Sequence, residues 1–103
     1  MGLNYQLYGS EDRSTFDELI LCADEIERKF SIGRARDIRP DYVQNIINLS
    51  VNLRKNSKDS DLLNLLAEIE YFAYATLDNV NKPDYYRYLQ YLSAQLENLR
   101  AFQ

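Results

Sequence analysis

The sequence predicts an all-α protein folded as an antiparallel up-down four-helix bundle. Four segments carry apolar residues at helical spacing, and short polar turns separate them. Short connections force consecutive helices to run antiparallel. Exposure of the four apolar stripes to water is unfavourable, and burial of the stripes against one another offsets the entropy lost when the chain becomes ordered. The 103 residues suffice for one domain with one modest core.

The first helix is expected from about residue 16 to 31, and residues 14–103 are expected to form the bundle. Thr15 and Glu18 have the spacing of a capping box, and Gly33 is placed to end the helix. Residues 1–13 are predicted to be an arm that is mobile or packs on the bundle. The apolar stripe of this helix is Phe16, Leu19, Ile20, Ala23, Ile26 and Phe30.

The link before the second helix carries three arginines, Arg34, Arg36 and Arg39. They could bind phosphates, anionic lipid or an acidic protein surface, or they could be hydrated or paired with acids of helix 1. Pro40 suits the first turn of a helix over about 40–55, because its missing N–H costs nothing there.

Asp59 or Ser60 can cap the third helix, expected over about 60–79. Pro83 suits the start of the fourth helix, expected over about 83–101. The apolar residues of this last helix repeat at alternating spacings of four and three, which is typical of helices packed nearly along one another. They are Tyr85, Leu89, Leu92, Leu96 and Leu99.

Composition excludes several classes of function. The chain is 46% apolar and 27% charged, as in ordinary soluble globular proteins, and its net charge of −4 argues against nucleic-acid binding. Cys22 is the only cysteine, which fits a reducing compartment. Neither a signal peptide nor a membrane-spanning apolar run is visible, so the expected location is the cytoplasm.

Few residues could carry chemistry. The chain has no histidine to activate Cys22 or to complete a di-iron site in the bundle, and its three glycines form no phosphate-binding loop. Acidic residues early in helix 1 are expected to be solvated. The sequence therefore predicts no enzyme, no cofactor and no metal site, and indicates a protein that binds a partner.

Tyrosines are the stronger signal, since six of the nine lie within residues 62–102. Tyrosine is favoured at interfaces because it combines a broad apolar ring with a hydroxyl that tolerates water. Two interpretations stay open: the rings contact another macromolecule, or they lie flat on neighbouring helices. The predicted partner-binding residues are Tyr71, Tyr74, Tyr86, Arg87, Tyr91 and Arg100.

Helices 2 to 4 contain a set of short sequence segments with a familiar pattern. They are Arg39-Pro40-Asp41-Tyr42, Asp61-Leu62-Leu63-Asn64-Leu65-Leu66, Tyr71-Phe72-Ala73-Tyr74, Tyr85 and Tyr88-Leu89-Gln90-Tyr91-Leu92-Ser93. With these segments the chain resembles the enterocin A-type immunity proteins of class IIa bacteriocins. The resemblance covers about residues 15–99 and consists of apolar positions with a few shared letters.

The resemblance implies a cytoplasmic four-helix bundle that protects a bacteriocin producer without catalysis. Such proteins act at the inner face of the membrane and associate with the mannose-phosphotransferase permease that serves as the bacteriocin receptor. Relatives are often lysine-rich, whereas this chain is acidic. The alternatives are a helical inhibitor or adaptor of a phage, plasmid or toxin–antitoxin locus that binds a soluble protein, and a homodimer that buries its tyrosines against a second copy.

Overall fold

The computed structural model describes residues 9–103 as an antiparallel bundle of four α-helices, which confirms the predicted fold class. Short 3₁₀ segments lie in the first link and after the last helix, and the described residues contain no strand. The helices are α1 (Gly9–Ser31), α2 (Pro40–Asn56), α3 (Ser60–Asp78) and α4 (Asp84–Glu97), and the 3₁₀ segments are Ala35–Asp37 and Asn98–Phe102.

The four helices surround one core. Helices α1 and α3 each pack against both α2 and α4. Every helix contributes its apolar stripe, and the largest side chains that are fully buried are Phe16, Leu19, Ile26, Ile46, Ile47, Leu53, Leu62, Leu66, Ile69, Leu89, Leu92 and Leu96. No helix among residues 9–103 is long and apolar enough to cross a membrane.

Helix α1 begins at Gly9, so the predicted start near residue 16 was wrong. Thr15 lies inside the helix and does not mark its first turn. The added turns pack on the end of α2, because Asp12 is buried and its carboxylate accepts a 2.9 Å hydrogen bond from Asn56 Nδ2. Residues 9–13 of the predicted arm belong to this helix, and residues 1–8 of that arm lie outside the described residues.

Gly33 ends α1 as predicted. Its φ of +71° lies in the left-handed region that glycine adopts without steric cost. The N–H of Gly33 donates to the carbonyl of Phe30 (3.2 Å), and the N–H of Arg34 donates to that of Lys29 (2.7 Å). This pair of hydrogen bonds is the Schellman motif, which satisfies carbonyls that the helix itself leaves unpaired.

The other helix ends follow local chemistry. Asp59 caps α3, since its carboxylate accepts from the N–H groups of Asp61 (2.9 Å) and Leu62 (3.3 Å). Helix α4 ends at Glu97, where the chain tightens into a 3₁₀ segment, so the predicted single helix to about 101 changes its hydrogen-bonding pattern near the end. Leu99 in that segment is still fully buried.

A buried tyrosine joins α4 to the first link. Tyr85 is 6% exposed, and its hydroxyl donates a 2.8 Å hydrogen bond to the backbone carbonyl of Ile38. Burial raises the pKa of Tyr85, so the hydroxyl stays protonated and able to donate. Because the two residues are 47 positions apart, this bond fixes one end of the bundle.

We expect Tyr85→Phe to lower the free energy of unfolding by about 1–2 kcal/mol, because it leaves the buried Ile38 carbonyl without its donor. Urea denaturation followed by circular dichroism measures this change. Tyr71→Phe is the matched control, since its ring is mostly exposed, and a change below about 0.5 kcal/mol is expected. Equal stability of wild type and Tyr85→Phe would contradict the role of this bond.

We expect Asn56→Ala to cost about 1–3 kcal/mol, because the buried Asp12 carboxylate then lacks its partner. Asn52→Ala is the control, because Asn52 is an exposed residue of the same helix. The same denaturation experiment distinguishes the two variants. If both cost equally little, the first turns of α1 do not depend on this contact.

Candidate functional site

The four tyrosines predicted as partner contacts are all exposed to a substantial degree. The exposed fractions are 66% for Tyr71, 51% for Tyr74, 40% for Tyr86 and 46% for Tyr91. By contrast, Tyr85 of the predicted core stripe is buried. Each of the four side chains is thus partly in contact with solvent and partly covered, and both interpretations that the sequence left open stay predictions.

Helices α3 and α4 carry a continuous row of aromatic rings. The Tyr71 ring lies 5.2 Å from Phe72, Phe72 lies 5.6 Å from Tyr91, and Tyr91 lies 6.0 Å from Tyr88, measured between ring centroids. All three pairs are edge-to-face, the arrangement that ring quadrupoles favour. We call these four residues the aromatic ridge.

Helix geometry explains the ridge. Phe72 lies on the flank of α3 that faces α4 and is partly buried against the core. Tyr88 and Tyr91 are three residues apart and therefore share the flank of α4 that faces α3. Tyr71 follows the outer surface of α3 and extends the row away from the seam. The rings thus support one another while leaving broad apolar area in contact with solvent.

Arg87 adjoins one end of the aromatic ridge. Its guanidinium carbon lies 5.5 Å from the centroid of the Tyr88 ring, within reach of a cation–π interaction. The same guanidinium pairs with Asp84 at 2.9 Å. The structure therefore places the predicted polar neighbour Arg87 beside the aromatic residues.

Tyr74 lies one turn beyond Tyr71 on α3 and towards α2. It is near the ion pair in which Arg54 Nε contacts Glu70 at 2.8 Å, across the α2–α3 seam. The pKa of Arg54 is raised chiefly by its hydrogen bond to Glu70, with a smaller contribution from Tyr74. Tyr74 thus continues the exposed aromatic surface of α3 to the border with α2.

The predicted site residues Tyr86 and Arg100 lie away from the aromatic ridge. Tyr86 is five residues from Tyr91, about 140° around an ideal helix, and it packs edge-to-face on Tyr85 at 5.3 Å. Arg100 lies on the α1 side of the bundle, where it pairs with Asp24 and, at 2.8 Å, with Glu97.

Two members of the aromatic ridge, Phe72 and Tyr88, were not among the predicted site residues. The sequence placed Phe72 in the core stripe of α3 and Tyr88 at the edge of the stripe of α4, and both are half-buried in the structure. The signal that could have found them is the three-residue spacing of Tyr88 and Tyr91 opposite an aromatic pair late in α3.

Cys22 is a poor candidate nucleophile. It is 5% exposed, and burial raises the pKa of its thiol, an effect that the hydrogen bond with Tyr42 only partly offsets. The thiolate is the reactive form, so a raised pKa leaves this cysteine largely protonated near neutral pH.

One cluster of three acidic side chains among the described residues has the spacing of a metal site. Asp24, Glu27 and Glu97 bring ligand atoms within 4.8 Å of one another. Arg100 already pairs with Asp24 and Glu97, so a guanidinium occupies the position that favours a cation. Clusters of exposed acids are common on protein surfaces, and this one adds no indication of a metal.

Comparison of the chain with protein-family models, with curated proteins and with solved structures gave no match. The resemblance to immunity proteins of class IIa bacteriocins therefore stays a prediction, based on the residues that suggested it. The geometry of the aromatic ridge is an independent observation on which a function can be proposed.

We expect Tyr91→Ala to lower the free energy of unfolding by about 1–2 kcal/mol, since it removes two edge-to-face contacts and a half-buried ring. Tyr74→Ala should cost about 0.5 kcal/mol, because no ring contact of Tyr74 is found among residues 9–103. Thermal or urea unfolding gives both values. Equal losses would show that the rings of the aromatic ridge do not support one another.

Proposed function

We propose that this chain is a non-catalytic binding protein that contacts a protein partner through the aromatic ridge and Tyr74. The observation that carries the proposal is the row of edge-to-face rings across α3 and α4, with Tyr71 66% and Tyr91 46% exposed. Adjacent exposed tyrosines leave apolar ring area in water, and contact with a partner protein would remove that area from water.

The aromatic ridge has the physical properties of a binding hot spot. Tyrosine and arginine are enriched among the residues that dominate interface energy. The Tyr91 ring is held between Phe72 and Tyr88, so little side-chain freedom remains to be lost when a partner binds. Arg87 beside Tyr88 can add a directed hydrogen bond at the rim.

The resemblance to the immunity proteins of class IIa bacteriocins suggests the identity of the partner protein. We propose the mannose-phosphotransferase permease, engaged from the cytoplasmic side while it holds a class IIa bacteriocin, so that the chain gives immunity to the bacteriocin. The aromatic ridge lies in α3 and α4, the half of the chain in which the family concentrates specificity. A location in the cytoplasm at the inner face of the membrane follows from the same proposal.

Expression of the chain in a strain sensitive to class IIa bacteriocins tests this function. We expect reduced killing by at least one bacteriocin of a broad panel, and loss of protection in Tyr71→Ala/Tyr74→Ala, since both rings are exposed and removable without unfolding the bundle. The matched control is Gln44→Ala/Asn48→Ala, on the exposed polar side of α2, which should protect like wild type.

Each contrary outcome has a distinct meaning. Unchanged killing by the whole panel, with the wild-type protein present in the cells, would remove the immunity function. Capture of one soluble protein and no permease by the wild type, lost in Tyr71→Ala/Tyr74→Ala, would replace it by the inhibitor or adaptor function. Sedimentation that shows a dimer in wild type and a monomer in the same variant would assign the surface to self-association.

A further inference from the structure

A concave surface, separate from the aromatic ridge, lies at one end of the bundle, where the α1–α2 link meets the α3–α4 link. It is a cleft of about 650 Å³, within the range of small-molecule sites. Its residues come from both links and from the first turns of α2 and α4. They are Arg36, Ile38, Arg39, Pro40, Val80, Asn81, Lys82, Pro83, Tyr85 and Tyr86.

Among residues 9–103, three cationic side chains and no acidic side chain line this cleft. Arg36 and Arg39 come from the first link, and Lys82 comes from the second. All three are exposed, and none forms an ion pair with another residue of the described chain. In a chain of net charge −4, such a gathering of unpaired positive charge is a local exception.

Two of the neighbouring acids pair with cations outside the cleft. Asp37 pairs with Arg34 at 2.7 Å and with Lys29 at 3.8 Å. Asp84, at the start of α4, pairs with Arg87 at 2.9 Å. Asp41, exposed at the start of α2, does not line the cleft, although its charge acts on Tyr85 of the cleft wall.

The walls of the cleft are held in place by the fold. The hydrogen bond from Tyr85 to Ile38 joins the first turn of α4 to the α1–α2 link. Pro40 and Pro83 restrict the backbone on either side, and Asn81 turns the second link with a φ of +67°. A site whose walls are already positioned loses little entropy when a ligand binds.

We propose that this cleft binds a phosphate group, carried by a soluble phosphorylated molecule or by an anionic lipid headgroup. Two guanidinium groups can each offer paired N–H donors to phosphate oxygens, and the lysine ammonium adds a third positive charge. A phosphate group matches this set better than a single carboxylate does, because its terminal oxygens can accept hydrogen bonds from several directions at once. The 40% exposed ring of Tyr86 forms a wall against which the organic part next to the phosphate can pack.

The test uses phenyl phosphate as the soluble probe and phosphatidylglycerol vesicles as the lipid probe. Titration of the ¹⁵N-labelled protein, followed by NMR, should show saturable shifts at residues 36–40 and 80–86. The comparison probes are phenol, which is neutral, and phosphatidylcholine vesicles, which carry no net charge. Neither should cause such shifts. Binding of phenyl phosphate identifies a soluble ligand, and binding of phosphatidylglycerol alone identifies a headgroup.

Arg36→Gln/Lys82→Gln should weaken the affinity for the bound probe about 10-fold or more, because two charge-assisted contacts are lost. Lys58→Gln is the matched control, since Lys58 is an exposed lysine of the α2–α3 connection at the other end of the bundle. It should bind like wild type, and circular dichroism should show equal helix content in all three proteins.

The proposal is overturned if neither probe binds saturably, if phenol binds as well as phenyl phosphate, or if Lys58→Gln weakens binding as much as the double variant does. The cleft and the aromatic ridge are formed by different residues. Failure of the phosphate titration therefore leaves the proposed partner surface untouched, and loss of bacteriocin protection leaves the cleft untouched.

Discussion

The rotation of α4 about its own axis determines both surfaces of this protein. Its buried stripe, which includes Tyr85, Leu89 and Leu92, must face the core, since α4 packs between α1 and α3. Once the direction of that stripe is fixed, the helical repeat determines the direction in which every other side chain of α4 projects. Tyr91 then meets Phe72 of α3, while Arg100, just beyond the helix, meets Asp24 of α1.

The same constraint separates two kinds of chemistry. The α3–α4 flank offers polarisable rings with one guanidinium at its border, and the end of the bundle offers three unpaired cations around a concavity. Tyr85 connects the helix that carries part of the aromatic ridge to the cationic cleft, because its hydroxyl binds the link that carries Arg36 and Arg39. A single buried phenol thus positions the cationic cleft without taking part in the aromatic ridge.

Features that depend on nearby residues were predictable from the sequence. Gly33 ends α1 and Asp59 caps α3, because each acts on the backbone within a few positions. The bundle itself followed from the spacing of apolar residues. The start of α1 was missed because its first turns have no apolar stripe and are held by a polar contact between Asp12 and Asn56, 44 residues apart.

The candidate site was predictable only in part. The sequence left open whether the off-stripe tyrosines are exposed or lie flat on neighbouring helices, and in the structure Tyr71, Tyr74, Tyr86 and Tyr91 are exposed in part. Their grouping was not predictable to the same degree. Which flank of α4 faces α3, and so whether Tyr88 and Tyr91 or Tyr86 lie next to Phe72, depends on the order of helices around the bundle, which residue spacing alone does not determine.

The position of Tyr71 and Tyr74 outside the core has an evolutionary consequence. Because folding places few demands on these two positions of α3, natural variation there is tolerated without a change in helix packing. Single codon changes at these positions alter the chemistry of the outer surface and leave the core as it is. Divergence among descendants of this chain should concentrate on the outer side of α3, and their interiors should drift far more slowly.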